Sequence, residues 1–293
     1  MSEPIDIIIP WVNPNDPVWR KDFEYWKQKE TGNKDACRYR DWGSIKYVLR
    51  SIDENCPWCR YVFLVLSGPS QIPDWLNIDY PKLKIVYHKD YIPEEYLPTF
   101  NSNVIELFFH RIEELSENFI LINDDMFFCQ KRNADCFFKN DVPVIVNSKI
   151  RPLDDHGKFG TTLINSKNVS NSITGLTGSQ IYWNSHMPYC YKKSLQSFLM
   201  TKFSISHMKN SKFRKPADLT HFIFMDVQGN SQYKIFADHK RGEFYTVDKI
   251  KRQLNFNFDC ICVNEGERST VEVLEFYLKQ LDMHFHNKSG FEK

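Results

Sequence analysis

Phe119-Ile120-Leu121-Ile122-Asn123-Asp124-Asp125-Met126-Phe127-Phe128 joins an apolar run, two adjacent carboxylates and a second apolar run. Uninterrupted apolar residues bounded by polar groups read as a strand buried on both faces, the kind found in the middle of an α/β sheet. The acids then stand at its carboxyl end, where open α/β sheets bind ligands, and paired aspartates there suit a hard divalent cation holding a diphosphate. Asn-Asp-Asp is also an ordinary turn closing a strand, because these side chains bond their own backbone. Against the plain turn, aromatic and apolar residues resume at once, so both acids lie where an unpaired charge is costly.

Upstream, Ile5 to Val12 reads as a first strand and Asn13-Pro14-Asn15-Asp16-Pro17 as a turn, with Asp16 or Asn13 capping a helix over Val18 to Lys29. No Gly-rich fingerprint follows that strand, so it is a weak nucleotide signal by itself. Apolar spacing predicts helices over Trp42–Asn55 and Asn103–Leu115, and buried strands over Tyr61–Leu66 and Leu83–Tyr87. The order β-α-β-β-α-β predicts a mostly parallel sheet flanked by helices, a Rossmann-like α/β fold. Arg38 and Arg40, just ahead of a helix, either grip phosphate or lie on a solvated face. Glu106 and His110 fall one helical turn apart.

Downstream the pattern loosens. Val142 to Asn147 reads as a strand, and 151–180, rich in Asp, Gly, Ser, Thr and Asn, as a mobile loop. A helical stretch is expected from His186 to Phe203. Lys209, Lys212, Arg214 and Lys215 then form a basic cluster ahead of a helix over 217–227, either an anion site or an exposed basic turn. Asp259 to Val263 reads as a last strand running into Asn264-Glu265-Gly266-Glu267, a second strand ending in acids, and 270–281 as a closing helix.

With 38 basic and 37 acidic residues the net charge is +1, which together with the lack of a basic-aromatic stripe argues against nucleic acid. No apolar run reaches the about 18 residues of a membrane span, and the start carries neither a basic nor an apolar leader region, so a soluble, cytoplasmic protein is expected. Lys240, Arg241, Lys249, Lys251 and Arg252 offer a peripheral contact with the inner face of a membrane. Cys56-Pro57-Trp58-Cys59 has the spacing of a redox or metal pair but lacks a second pair; buried thiols acting as small hydrophobes explain Cys37, Cys129, Cys136, Cys190, Cys260 and Cys262 equally well, and free thiols agree with a reducing compartment.

Several blocks are specific enough to name a family. Ile5-Asp6-Ile7-Ile8-Ile9-Pro10-Trp11-Val12-Asn13, Arg40-Asp41, Leu49-Arg50-Ser51-Ile52, Gln71-Ile72-Pro73-Asp74-Trp75-Leu76, Leu97-Pro98-Thr99-Phe100-Asn101-Ser102, Glu106, His110-Arg111-Ile112 and Asn123-Asp124-Asp125 resemble successive blocks of the Stealth family. His186-Met187-Pro188, Arg214, Asp218 and Cys262-Val263-Asn264-Glu265 resemble its later ones. That family comprises bacterial capsular and cell-wall polysaccharide hexose-1-phosphate transferases and the α/β subunit precursor of the lysosomal-enzyme N-acetylglucosamine-1-phosphotransferase. The chain departs from the pattern at Glu265, where the family usually has Asp, and at Pro14, where it usually has Gly.

The resemblance implies a single catalytic domain over 1–293, with a GT-A-like nucleotide-sugar half at 1–147 and an acceptor and phosphate half at 148–293. It implies transfer of a sugar-1-phosphate from a UDP-sugar to a hydroxyl of a growing polysaccharide or lipid-linked acceptor, with release of UMP. An ordinary glycosyltransferase releasing UDP would use similar parts. Asp124, Asp125 and Glu265 would hold Mg²⁺ or Mn²⁺; Asp124, Asp125, His186 and Arg214 would be catalytic, with His186 taking the hydroxyl proton. Trp11, Asn13 and Asp16 would receive the uridine and Glu106 the sugar. Arg40, Asp41, Asn101, Ser102, His110, Arg111, Asn123, Asp218 and Asn264 would complete the substrate contacts.

Overall fold

The computed structural model describes residues 3–184, 186–202, 211–238, 240–248 and 250–293, with backbone alone at 153–158. In chain order the elements are β1 (Ile5–Pro10), α1 (Pro17–Lys29), α2 (Ser44–Asn55), β2 (Cys59–Leu66), β3 (Leu83–Tyr87), α3 (His88–Tyr91), α4 (Ser102–Leu107), β4 (Asn118–Leu121), β5 (Met126–Phe128), β6 (Phe138–Lys139), β7 (Val142–Ile145) and β8 (Lys149–Ile150). There follow α5 (Pro152–Thr174), β9 (Ile181–Tyr182), β10 (Tyr189–Lys192), α6 (Lys193–Met200), α7 (Phe222–Asn230), β11 (Ile235–Phe236), β12 (Gly242–Val247), β13 (Cys260–Glu265) and α8 (Val271–His284).

The main sheet has the order β3-β2-β1-β4-β10, parallel except for β10. Its central strand, β1, is buried at Ile7, Ile8 and Ile9, as a strand covered on both faces requires. Two strands are added on one side of β1 before the chain returns to place β4 on its other side. The order therefore reverses between β1 and β4, which opens a crevice at their carboxyl ends. Inside the sheet, Asp6 is fully buried and held by Arg60, whose Nε and Nη2 donate to its two oxygens at 2.9 and 2.6 Å. A smaller sheet, β12-β13-β5, pairs β13 with β5, the strand that follows the two aspartates. That pairing brings the ends of β4 and β13 together.

Several sequence expectations are corrected here. The segment 151–180 is not a mobile loop over most of its length: α5 packs on α7. Its inward face is largely polar, with Thr162, Ser166, Lys167 and Ser170 buried beside Leu163. Lys167 Nζ lies 2.8 Å from Asp226 Oδ2, which also accepts from Ser170, and the Tyr182 amide donates to Oδ1. A helix buried through such bonds leaves no apolar stripe to read. The helix expected over Asn103–Leu115 stops at Leu107 and continues as a 3₁₀ turn, Phe109–Arg111, so Glu106 and His110 do not share a helical face. The stretch after His186 forms a strand, β10, before α6, and Phe203 lies outside the described residues. The helix expected at 217–227 begins at Phe222, because the chain first turns to let Asp218 accept from the Lys215 amide at 2.8 Å.

Candidate active site

A cavity of about 440 Å³ occupies the crevice at the carboxyl ends of the parallel strands. Trp11 follows β1, Ser67 follows β2, His88 follows β3 and Asn123, Asp124 and Asp125 follow β4, and all line it. The second half of the chain closes the space with His186, Arg214, Asn264 and Glu265.

One wall is acidic. Asn123 to Met126 form a tight turn in which the Met126 amide donates to the Asn123 carbonyl at 3.2 Å. Asn264 Nδ2 donates to Asp125 Oδ2 at 2.9 Å, while the buried Oδ1 has no hydrogen-bond partner. Burial, then the neighbouring charges of Asp125, Asp41 and Glu265, push the Asp124 carboxyl well above the usual range against a backbone hydrogen bond. Burial raises Glu265 to about 7 although Arg40 Nη1, 2.6 Å from Oε1, opposes the shift. Crowded hard oxygens with an unpartnered buried lone pair are a donor set that fits a divalent cation. Among the described residues no three His, Cys, Asp or Glu side chains form a ready-made cage. An ion that takes one or two protein carboxylates and completes its shell with phosphates and water needs none.

Arg214 lines the same cavity, and its placement starts in an aromatic cluster. Trp19 and Phe23 of α1 pack with Phe100 and Phe213, with ring centroids 4.8 Å apart for Trp19–Phe23 and 5.2 Å for Phe100–Phe213. Gly32, at φ 141°, brings the chain so close that a Cβ there would sit 2.6 Å from Phe213 Cβ; the Asn33 amide then donates to the Arg214 carbonyl at 2.8 Å. Asn101 Nδ2 donates to Asp218 Oδ2 at 2.7 Å, tying the Arg214 loop to the start of α4. Arg214 Nη2 donates to Ser102 Oγ, and its guanidinium reaches the cavity beside Arg38. Burial, and then Arg38, lower the Arg214 pKa, but a guanidinium remains charged at neutral pH. His186 adopts the left-handed conformation at φ 57°, its ring stacks on Phe244 at 4.8 Å, and it lines the cavity.

The structure thus brings together Trp11, Arg40, Ser102, Glu106, Asn123, Asp124, Asp125, His186, Arg214, Asn264 and Glu265 around one cavity. The other expected substrate contacts lie elsewhere. Asp16 caps α1, accepting from the Val18 and Trp19 amides, Ser70 and Gln71; burial raises its pKa, and these bonds together bring it below the usual value. Asn13 accepts from the Asn15 amide and, through its own backbone, holds Gln71. Asp41 accepts from the Gly43 amide at 2.9 Å ahead of α2. Asn101 and Asp218 stand behind Arg214, Arg111 is exposed, and His110 turns its Nδ1 to the Leu107 carbonyl. Of the basic cluster, Lys212 is buried with Nζ donating to the Leu97 carbonyl, Lys215 lies 4.0 Å from Glu30, and Lys209 is outside the described residues. Arg241, counted toward a membrane contact, is buried over the Phe137 ring, Lys251 pairs with Glu272, and Lys249 is outside the described residues.

Sequence reading missed several lining residues. His88 obeys the same strand-end rule as Asp124, since it follows β3 directly, and that rule applied to β3 finds it. Tyr39, Trp42 and Phe100 carry no local signal, because packing alone brings them to the cavity. His221, buried behind Glu106 with Nε2 3.6 Å from Glu106 Oε2, falls inside the helix expected over 217–227 and carries no separate signal in the sequence. Among the described residues all eight cysteines are free, and no helix is long and apolar enough to cross a membrane.

Residues 38–145 match the model of Stealth protein conserved region 2. Over its whole length the chain is similar to the capsular polysaccharide phosphotransferase WcwK of Streptococcus pneumoniae, 31% identical with 100% of each chain covered. It is also similar to the receptor polysaccharide phosphotransferase WefC of Streptococcus gordonii, 29% identical with 100% of each covered. The capsular polysaccharide phosphotransferase CpsJ of Streptococcus thermophilus is 38% identical over 146 residues, 48% of this chain and 60% of that protein.

Proposed function

The chain belongs to the Stealth family of polysaccharide phosphotransferases, and from that premise we propose that it is an enzyme of capsular polysaccharide assembly that transfers a sugar-1-phosphate from a UDP-sugar to a glycan hydroxyl, releasing UMP. The observation that carries this reading is that the carboxylates Asp124, Asp125 and Glu265 and the guanidinium of Arg214 line one strand-end cavity. A diphosphate suits such a cavity: its oxygens need cationic partners, and phosphoryl transfer needs chiefly positioning and electrostatic stabilisation.

Asp124, Asp125 and Glu265 would hold Mg²⁺ or Mn²⁺, which when bound would neutralise diphosphate oxygens and ease departure of the nucleotide phosphate. The chain's own residues do the rest. Arg214, prevented from swinging by Ser102, holds phosphate oxygens through its planar fork, with Arg38 beside it. Trp11 and Trp42 offer flat apolar surface for the base. His186, on the cavity lining, accepts the proton of the attacking hydroxyl at an imidazole nitrogen as oxygen bonds to the sugar-bearing phosphorus. The bond between the two phosphates breaks and the sugar C1–O bond survives. The peripheral membrane contact is reduced to Lys240 and Arg252, exposed, with Lys251 in its surface pair. The test is to incubate the purified protein with UDP-sugars and glycan acceptors and identify the released nucleotide: UMP supports the reading, whereas UDP alone overturns it.

A further inference from the structure

Behind the cavity lies a polar chain that the roles above leave unused. Glu106 lines the cavity from α4 and is 7% exposed. Its Oε2 lies 3.6 Å from Nε2 of His221, somewhat longer than a hydrogen bond and close enough for a side-chain torsion to make one. On the other side of the imidazole, Nδ1 lies 2.8 Å from the Tyr191 hydroxyl, which is also 3.3 Å from the His221 carbonyl oxygen. Tyr189 crosses the ring edge-on at 4.6 Å and Phe222 covers it at 4.4 Å, so the imidazole cannot turn over.

That geometry admits two arrangements. With Glu106 protonated, its O–H donates to Nε2, Nδ1–H donates to the Tyr191 oxygen, and the Tyr191 hydroxyl donates to the His221 carbonyl. With Glu106 ionised, Nε2–H donates to the carboxylate and the Tyr191 hydroxyl turns to donate to Nδ1. Every buried polar atom keeps a partner in both. The two differ by one proton, lost from the carboxyl to the cavity, while the imidazole stays neutral and moves its proton from Nδ1 to Nε2. We infer that His221 is a positioning residue that changes tautomer with the charge of Glu106, with Tyr191 as the rotating partner that permits both states, so that Glu106 can give or take a proton at the bound sugar-phosphate. This inference rests on the phosphotransferase reading for its purpose, though not for its test.

The surroundings agree. Burial raises Glu106 to about 7 against the pull of Arg214, and burial, with Arg214 and His186, lowers His221 to about 3. The neutral imidazole is therefore the species beside a carboxyl that titrates near neutrality. The other groups facing the pair are the hydroxyls of Tyr91, Tyr189 and Tyr191, all pushed well above their usual range by burial.

The experiment is nitrogen-15 NMR of histidine-labelled protein without substrate, from about pH 5.5 to 8.5, with His221 assigned from H221Q. The expected result is a protonated Nδ1 at the acid end and a protonated Nε2 at the alkaline end, a change absent in E106Q. Y191F, which leaves both other groups in place, should shrink the change by removing a partner of Nδ1. A fixed tautomer across the range, the same change in E106Q, or an undiminished change in Y191F overturns the inference. Because no donor or acceptor is present, failure here is distinct from failure of the proposed reaction, which the nucleotide product reports. In active protein the limb of the kcat/KM profile near pH 7 should move in H221Q, a shift that a merely structural loss does not produce.

Discussion

Asn264 Nδ2 donates to Asp125 Oδ2 at 2.9 Å, so the end of β13 is bonded to the turn after β4, across 139 residues of chain. That bond fixes one oxygen of Asp125 and leaves the other without a partner at the cavity. N264L keeps the branched shape but removes the donor. It should lower turnover by roughly 10-fold or more through a misaimed carboxylate, with D125N falling roughly 10²-fold, the scale for loss of a key electrostatic group. Steady-state kinetics alongside circular dichroism checks this; full activity in folded D125N contradicts it.

Removal of divalent metal should stop turnover, because the acidic wall would then repel the diphosphate. Dialysis against excess chelator is expected to abolish product formation, with recovery on adding Mg²⁺ or Mn²⁺. Full activity in the chelator would remove the role given to Asp124, Asp125 and Glu265.

Stability should hinge on the pair under α5. Lys167 and Asp226 are 7% and 0% exposed, so K167M leaves a buried carboxylate with only Ser170 and the Tyr182 amide. Breaking a buried pair on one side costs about 3–5 kcal/mol. Urea unfolding should show that loss, while K167M/D226L, which removes both charges, should recover much of it. Equal loss in the single and double variants contradicts the assignment.

Glu106 gives a pH signature of its own. Its folded value of about 7 stands above the ordinary 4.5, so the folded chain binds this proton more tightly than the unfolded chain does. The stability this provides is complete below 4.5 and is lost as pH rises through about 7. E106Q has no proton to lose. The Tm of wild type relative to E106Q should therefore fall across that interval, and a constant difference argues that Glu106 ionises normally.

Glu292 has the opposite sign. Arg50 grips both its oxygens at 2.8 and 2.9 Å; burial raises the carboxyl, but Arg50, the Ser289 amide and Lys46 outweigh it and bring the value to about 2. Its contribution is present above 4.5 and lost as pH falls through about 2. R50K keeps the charge without the fork and should lower stability at neutral pH, with the variants converging in acid. Unfolding curves that stay parallel down to the acid end contradict this.

What could be read from the chain follows from where the information sits. Asp124 and Asp125 were legible because a strand and its terminal acids are contiguous, and Glu265 for the same reason at the end of β13. Arg214 was legible only as part of a basic run; that Lys212 turns inward to the Leu97 carbonyl depends on a contact across 115 residues. α5 was illegible because hydroxyls and a lysine, rather than apolar side chains, make its buried face. Arg241 looked like surface charge, yet its guanidinium covers Phe137, a neighbour that only the folded chain supplies.

The most direct test of the central claim follows the two phosphorus atoms of the donor. UDP-sugar labelled in the β-phosphorus is incubated with the enzyme, divalent metal and acceptor, and the glycan and nucleotide are separated. Attack at the sugar-bearing phosphorus predicts label in the glycan, UMP without label, and the donor's anomeric configuration kept in the phosphodiester. Label recovered entirely in UDP, with none in the glycan, would contradict phosphoryl transfer and place the attack at the sugar carbon instead.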